Sequence, residues 1–306
     1  MKNKVVIIGC GNVGMSYAYS LLNQKTAVNE LVLIDINEEK TIGEAMDLNH
    51  GLPFGPSKID IKAGNYHDCH DAKIVMIAAG RNQNVGETRL DLIEKNKMVF
   101  KDIISKVMES GFNGFFIIAT NPVDIMTYIT YKYSKLPKEK VIGTGTTLDS
   151  ARLRYELGTK LNINPKNVHA YVIGEHGDTE FVPWNEATLG LANLNDFISK
   201  DEEKALENKV KNMAYDIIQR KGNTSYGIGM ATTRITNAIL NNENAILTVS
   251  SYDEENDLFI GYPTLINNNG AIRRLPFPMT NDEEIKYHNS VKTLKEVIEG
   301  IKNEIQ

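Results

Sequence analysis

A doubly wound parallel α/β sheet followed by an α+β substrate or catalytic domain is the architecture this sequence predicts. Three observations carry it. Short β-branched runs alternate with longer helical patterns through the first half. Most of those runs are apolar at every position, as strands covered on both faces are. In the second half the order changes to helices and a group of successive strands, which reads as α+β. A prior of roughly 150 residues per domain divides the 306 residues in two, and the division predicted here is 1–143 and 144–306. The joint near Gly143–Thr147 is too short and too apolar on both sides to be a flexible linker, so the halves are expected to share an interface.

The predicted strands of the first half are Lys4–Ile8, Glu30–Ile34, Lys73–Ala79, Gly114–Thr120 and Lys140–Ile142. Helical spacing predicts Val13–Asn23, Ile42–Leu48, Leu90–Glu109 and Asp124–Tyr133 between them. A helix from Leu148 to about Lys160 opens the second half, and a strand-like run Asn167–Ile173 follows. Helices over Asp201–Gln219 and Ile228–Asn241 precede strands Ala245–Ser251, Leu258–Tyr262 and Ala271–Leu275. The turn Asn267–Gly270 suits a hairpin between the last two, and a helix Asp282–Ile305 ends the chain. The charge runs Asp201–Lys204 and Asp282–Glu284 stand at helix starts, where acidic side chains complement the dipole.

Hydrophobic residues make up 42% and charged residues 24% of the chain, which excludes disordered, collagen-like and coiled-coil readings. The net charge of −5 argues against a nucleic-acid or anionic-membrane surface, though not against a local cationic pocket for a small anion. Two cysteines, Cys10 and Cys69, supply neither a disulfide framework nor a closed zinc site. No metal-binding cluster of the His-Glu-x-x-His kind is present, so no metal is expected. No apolar run approaches the ~18 residues of a membrane span, and Val5–Ile8 is too short for a signal peptide. The expected location is the cytoplasm.

Gly9-Cys10-Gly11-Asn12-Val13-Gly14 follows the first strand and opens the first helix. Glycines there serve a tight turn, close backbone approach to a pyrophosphate, and close helix–sheet packing, with helix N-terminal amides facing the phosphates. Gly-rich strand–helix turns also occur without ligands, but here Asp35 ends the second strand. A carboxylate at that place accepts hydrogen bonds from the adenosine ribose hydroxyls and repels a 2′-phosphate, favouring NAD over NADP.

Ile173-Gly174-Glu175-His176-Gly177-Asp178-Thr179 places one histidine between glycines after a strand. Histidine titrates near neutrality, so it can give a proton to an alkoxide forming at a carbonyl carbon and take it back in reverse. Such a histidine needs a buried partner, and Asp149 is the candidate. Asp149 and Arg152 share a helix face three residues apart, and Arg152 could fork onto a substrate carboxylate. The glycine-rich, polar stretch from Gly80 to Arg89 lies just past a buried strand and suits a lid, with Arg89 closing on the substrate carbonyl. Asn121, before Pro122, reaches the same sheet edge. Together these residues fit hydride transfer between a nicotinamide and the carbonyl carbon of a 2-oxo acid. A non-catalytic NAD-binding sensor would retain Gly9, Gly11, Gly14 and Asp35 but lose the proton relay or the arginines; this chain has all of them.

From Gly9-Cys10-Gly11 through Asn121-Pro122, Leu148-Asp149-Ser150-Ala151-Arg152 and Gly174-Glu175-His176-Gly177-Asp178, the sequence resembles the lactate/malate dehydrogenase family, and its L-lactate branch in particular. The resemblance implies a Rossmann-type NAD-binding domain, His176 as acid/base, Asp149 as its orienter, Arg152 as carboxylate clamp and Arg89 as lid arginine. It further implies that Asn121 assists at the carbonyl and nicotinamide, that Thr224 lies near the substrate carboxylate, and that Ile228 packs on the nicotinamide ring. Gln83 matches the position that separates substrates: a neutral side chain offers oxaloacetate's distal carboxylate no cation, so pyruvate is favoured over malate chemistry. Two features pull elsewhere. Val85 stands where the lactate enzymes commonly carry proline, and Gly222–Gly227 is similar to 2-hydroxyisocaproate dehydrogenases, which leaves a broader 2-hydroxy acid range as the alternative. The resemblance also implies a cytoplasmic homotetramer of glycolysis and fermentation, with Arg154 and His169 as an allosteric site for fructose 1,6-bisphosphate.

Overall fold

The computed structural model describes residues 2–81 and 89–302, with residues 89–91 described by their backbone alone. Gln83, Val85, the side chain of Arg89 and residues 303–306, where the predicted C-terminal helix would end, lie outside the described residues.

The first half supplies β1 (Lys4–Ile8), α1 (Asn12–Asn23), β2 (Glu30–Ile34), α2 (Glu38–Gly51), β3 (Asp60–Ala63), β4 (Ile74–Ile77), α3 (Arg89–Glu109), β5 (Phe115–Ile118), α4 (Val123–Ser134) and β6 (Val141–Gly143). β1 pairs in parallel with both β2 and β4, and the six strands run β6-β5-β4-β1-β2-β3 across the sheet. The apolar runs behave as two-sided strands. Val6 and Ile8 enter one buried cluster with Val75, Phe100, Phe116 and Ile129, while Val5 and Ile7 enter another with Tyr17, Leu21, Leu31 and Met76. Each such side chain, fully removed from water, contributes about 1.5–3 kcal/mol. β3 escapes the sequence pattern because it is a short edge strand, Asp-Ile-Lys-Ala, with only Ile61 buried.

The second half supplies α5 (Thr147–Leu161), β7 (Val168–His169), β8 (Thr188–Leu189), β9 (Ala192–Asn193), α6 (Lys200–Lys221), α7 (Tyr226–Leu240), β10 (Ala245–Asp253), β11 (Leu258–Asn267), β12 (Gly270–Arg274) and α8 (Asn281–Ile301). The acidic runs do begin helices: Ser199 with Glu202, and Thr280 with Glu283, form reciprocal capping boxes on α6 and α8. The hairpin between β11 and β12 closes on Asn267 and Gly270.

The expected strand Asn167–Ile173 is corrected. Only Val168 and His169 join a ladder, with β8, in a small sheet β7-β8-β9 that the sequence did not reveal. Beyond them Val172 is satisfied by side chains, its N–H donating to Ser150 Oγ at 2.9 Å and its carbonyl accepting from Thr146 Oγ1 at 2.6 Å, and Ile173 makes an isolated antiparallel bridge to Phe181. Strands β10–β12 add antiparallel to the first sheet rather than closing one of their own, giving nine strands in the order β12-β11-β10-β6-β5-β4-β1-β2-β3. The seam is a single register pair, Ser250 with Gly143. A Cβ at Gly143 would stand 2.3 Å from Thr127 Oγ1 and 2.5 Å from Ser250 Cβ, so the close approach depends on the missing side chain. Ile235, Ala238 and Val249 complete one face of the sheet and Leu294 and Ile298 the other, so the two halves are built around shared cores.

Candidate active site

The first site element is the turn from β1 into α1. Gly9 has φ +100° and a Cβ there would lie 2.4 Å from Ala79 N, while a Cβ at Gly14 would lie 2.0 Å from the Gly9 carbonyl oxygen. These two glycines are demanded by the fold itself. Gly11 is different. Its φ of −82° suits any residue, and a Cβ built there meets nothing within 4 Å. The space in front of Gly11 is what a closely approaching ligand would fill. Asn12 and Val13 begin α1, whose N-terminus has no side-chain cap and no acidic residue in its first turn, so its amides can meet phosphate oxygens.

Asp35, just past β2, accepts a hydrogen bond from Cys10 N–H at 2.7 Å and from Asn37 N–H at 3.1 Å. The carboxylate is thereby fixed beside the glycine turn. Lys40 Nζ donates to the Cys10 carbonyl at 2.8 Å. Burial pushes the Cys10 thiol up to about 12, so it is an inert packing group. This donor set fits a dinucleotide: open amides at a helix start, a cradle at Gly11 and a ribose-reading carboxylate.

The second element gathers around His176. The segment from Gly174 to Glu180 is pinned at its ends, where Ile173 and Phe181 exchange backbone hydrogen bonds of 2.9 Å. His176 Nδ1 lies 2.7 Å from Asp149 Oδ2, and Asp149 Oδ1 accepts from Arg152 Nη1 at 2.7 Å. Asp149 is 2% exposed, and its spacing from Arg152 on α5 is what lets one carboxylate serve both. Burial alone would lower the His176 pKa; the charge and hydrogen bond of Asp149, then Glu180, overcome it and hold the imidazole well above its ordinary value. Burial likewise opposes ionisation of Asp149, but His176 and Arg152 keep it below the usual carboxylate range.

The free valences matter most. Among the described residues, His176 Nε2 has no protein partner, and the hydrogen bond to Asp149 is the only one made by the Arg152 guanidinium. The imidazole retains 26% side-chain exposure. One ring nitrogen and one guanidinium edge are therefore left for a ligand, while the opposite sides are tied to the same aspartate.

Two buried acids at this site were not apparent from sequence. Asp124, in the first turn of α4, accepts from His176 N–H at 2.8 Å and from the Ser250 hydroxyl. Burial pushes it up to about 6 against those two bonds. Glu180 Oε2 lies 3.8 Å from His176 Nδ1. Neither carried a sequence signal: Glu180 lies in a loop, where an i,i+4 spacing sets no shared face, and the partners of Asp124 come from distant segments. Asp149, His176 and Glu180 offer ligand atoms within 4.8 Å of one another, but Arg152 on Asp149 puts a cation where a metal would need an anion.

Asn121 is exposed just past β5; its carbonyl accepts from Asn96 Nδ2 at 3.2 Å, and the Asn121–Pro122 peptide is cis. Thr224 is half-buried in the turn between α6 and α7, and Ile228 is half-buried in the first turn of α7. α7 packs on α1 so closely that a Cβ at Gly229 would stand 2.7 Å from the Ser16 backbone, which keeps Ile228 near the helix that opens at the glycine turn. Arg154 lies away from this cluster, with Nε and Nη2 donating at 3.2 Å to the carbonyls of Pro165 and Lys166, just before β7 and the exposed His169. Gln83 and the side chain of Arg89 lie outside the described residues. No helix among the described residues is long and apolar enough to cross a membrane.

The sequence matches two family models in succession: the lactate/malate dehydrogenase NAD-binding domain over residues 3–143, and the alpha/beta C-terminal domain of the same family over residues 146–305. It is 54% identical over 307 aligned positions to L-lactate dehydrogenase 2 of Bacillus cereus, covering 97% of both chains. A lactate dehydrogenase crystal structure from a deep-sea metagenome library of the Medee basin superposes with a TM-score of 0.94 at 48% identity, over 98% of this chain and 99% of that one. The minor L-lactate dehydrogenase of Enterococcus mundtii, in its ligand-bound form, gives 0.94 at 45% identity over 98% of each. The chain thus has an NAD-binding domain over residues 3–143, is an NAD-dependent 2-hydroxy acid dehydrogenase, and is a member of the lactate/malate dehydrogenase family.

Proposed function

We propose that this chain is an NAD-dependent L-lactate dehydrogenase that interconverts pyruvate and L-lactate. The observation that carries the reading is the Nε2 of His176, without a partner among the described residues, on a ring whose Nδ1 is held by Asp149 beside an arginine whose other edge has no partner among them either. The relatives named L-lactate dehydrogenase support it. NAD, when bound, supplies or accepts the hydride. In the reducing direction His176, kept protonated by Asp149, gives its Nε2 proton to the carbonyl oxygen; in the oxidising direction it takes that proton back. Arg152 pairs its free edge with the substrate carboxylate. Arg89 polarises the carbonyl from the lid, Asn121 steadies the same oxygen and the nicotinamide, Thr224 borders the carboxylate, and Ile228 packs on the nicotinamide ring. The amides and glycines of Gly9, Gly11, Asn12, Val13 and Gly14 take the pyrophosphate, and Asp35 takes the adenosine ribose.

In this reading Gln83 faces the side chain of the 2-oxo acid, where its neutrality favours a methyl group over a second carboxylate. The assembly is a cytoplasmic homotetramer serving glycolysis and fermentation, with Arg154 and His169 from neighbouring subunits taking fructose 1,6-bisphosphate. The apolar side chains exposed on α1, α2 and α7, among them Tyr19, Met46, Tyr226 and Met230, support burial against another copy. The test compares kcat/KM for pyruvate, oxaloacetate and 2-oxoisocaproate, each with and without fructose 1,6-bisphosphate, by loss of reduced-nicotinamide absorbance. Pyruvate is expected to lead and the sugar bisphosphate to sharpen its saturation curve. A lead for 2-oxoisocaproate would replace this reading by a broad 2-hydroxy acid dehydrogenase, and a lead for oxaloacetate by a malate enzyme.

A further inference from the structure

Glu180 sits against the catalytic ring, yet none of the steps above uses it. Its residue is 4% exposed, and its Oε2 faces His176 Nδ1 at 3.8 Å, its ion-pair neighbour among the described residues. A carboxylate so far removed from water is costly, and a glutamine would fill the same volume without that cost. The charge must therefore act on something, and the charged groups that face it are few. They are His176 and Asp149 on the ring side and Lys211 of α6, with Arg152 behind Asp149. The exchange of backbone hydrogen bonds between Ile173 and Phe181 fixes the loop that carries both His176 and Glu180, so the pair does not depend on a side-chain bond to stay in register.

We propose that Glu180 is a positioning residue acting through His176: as the second anion on the Nδ1 side of the ring, it extends upward the pH range in which the imidazole holds the proton it delivers. This rests on the reading of His176 as the acid/base. Burial, and then the charge of Asp149, push Glu180 up to about 7, against the pull of His176 and Lys211. Glu180 consequently ionises in the range where a histidine would otherwise begin to lose its proton, and its new charge opposes that loss. The two groups titrate as a unit. Removing the charge lowers the His176 pKa, so the alkaline limb of 2-oxo acid reduction and the acidic limb of 2-hydroxy acid oxidation both move to lower pH.

The experiment compares Glu180→Gln, Glu180→Asp and His176→Asn with the parent enzyme. It records kcat/KM against pH in both directions, together with an NMR titration of the His176 ring in the cofactor-free protein. Glu180→Gln is expected to move both the kinetic limbs and the ring titration down by about half a unit or more, a loss of about threefold in reduction on the alkaline side. NADH binding, followed by fluorescence, is expected to be unchanged, and Glu180→Asp to fall between. Superimposable profiles and ring titrations would overturn the proposal, since a purely structural residue changes the melt without moving either. If Glu180→Gln fails to melt cooperatively, Glu180→Asp decides by the same criterion. Turnover retained in His176→Asn would remove the acid/base reading itself; turnover lost there, with Glu180→Gln unmoved, would remove only the role of Glu180.

Discussion

The glycine turn and the His176 cluster, joined in the reaction proposed above, are built in opposite ways. The turn is local: everything from Gly9 to Asp35 lies in one strand–helix–strand unit, and its chemistry is backbone amides plus one carboxylate. The cluster is assembled from α4, α5, the loop after β7, and β10, and its chemistry is side chains that hold one another. A local site can be recognised in a string of letters; an assembled one shows only those members whose spacing betrays a shared face.

That contrast can be broken by substitution. The largest effect is expected from Asp149→Asn, which removes the negative charge and one of the two acceptor oxygens that hold His176 and Arg152. Turnover should fall by at least about 10²-fold while NADH still binds, and steady-state kinetics beside a fluorescence titration would check it. Turnover within threefold of the parent would mean that the cluster is less interdependent than its geometry says. Next comes Gly14→Ala, where the added methyl meets the Gly9 carbonyl oxygen at 2.0 Å. Stability should drop by about 1–3 kcal/mol, seen as a lower Tm of the cofactor-free protein. The smallest effect on the fold is expected from Gly11→Ala. Its Cβ enters open space, so the Tm without cofactor should stay within about 0.5 kcal/mol of the parent, while the Kd for NADH rises about tenfold. Equal affinities would show that the space in front of Gly11 is not where the dinucleotide backbone passes.

Strand–helix alternation was legible because strands covered on both faces are apolar throughout, as Val5–Ile8 and Leu31–Ile34 are. The contact between Asp149 and Arg152 could be read from helical spacing. β3 was hidden because an edge strand buries one residue in four, and Ala170–Ile173 misled because the hydroxyls of Ser150 and Thr146 take the backbone bonds of Val172 and Ile173 makes only an isolated bridge to Phe181. Asp124 and Ser250 were illegible for a different reason. Their mutual hydrogen bond spans 126 positions, and only the approach of β10 to β6 brings them together.

That approach sets an order of acquisition. Gly9 through Asp35 are in hand once the first strand–helix–strand unit has formed. The main-chain amide of His176, by contrast, is seated on an aspartate that itself waits for a hydroxyl from β10, most of the chain later. Synthesis therefore delivers every residue of the glycine turn before the hydroxyl that completes the seat of the imidazole. Parting the β6–β10 seam would unseat that imidazole by drawing Ser250 away from Asp124.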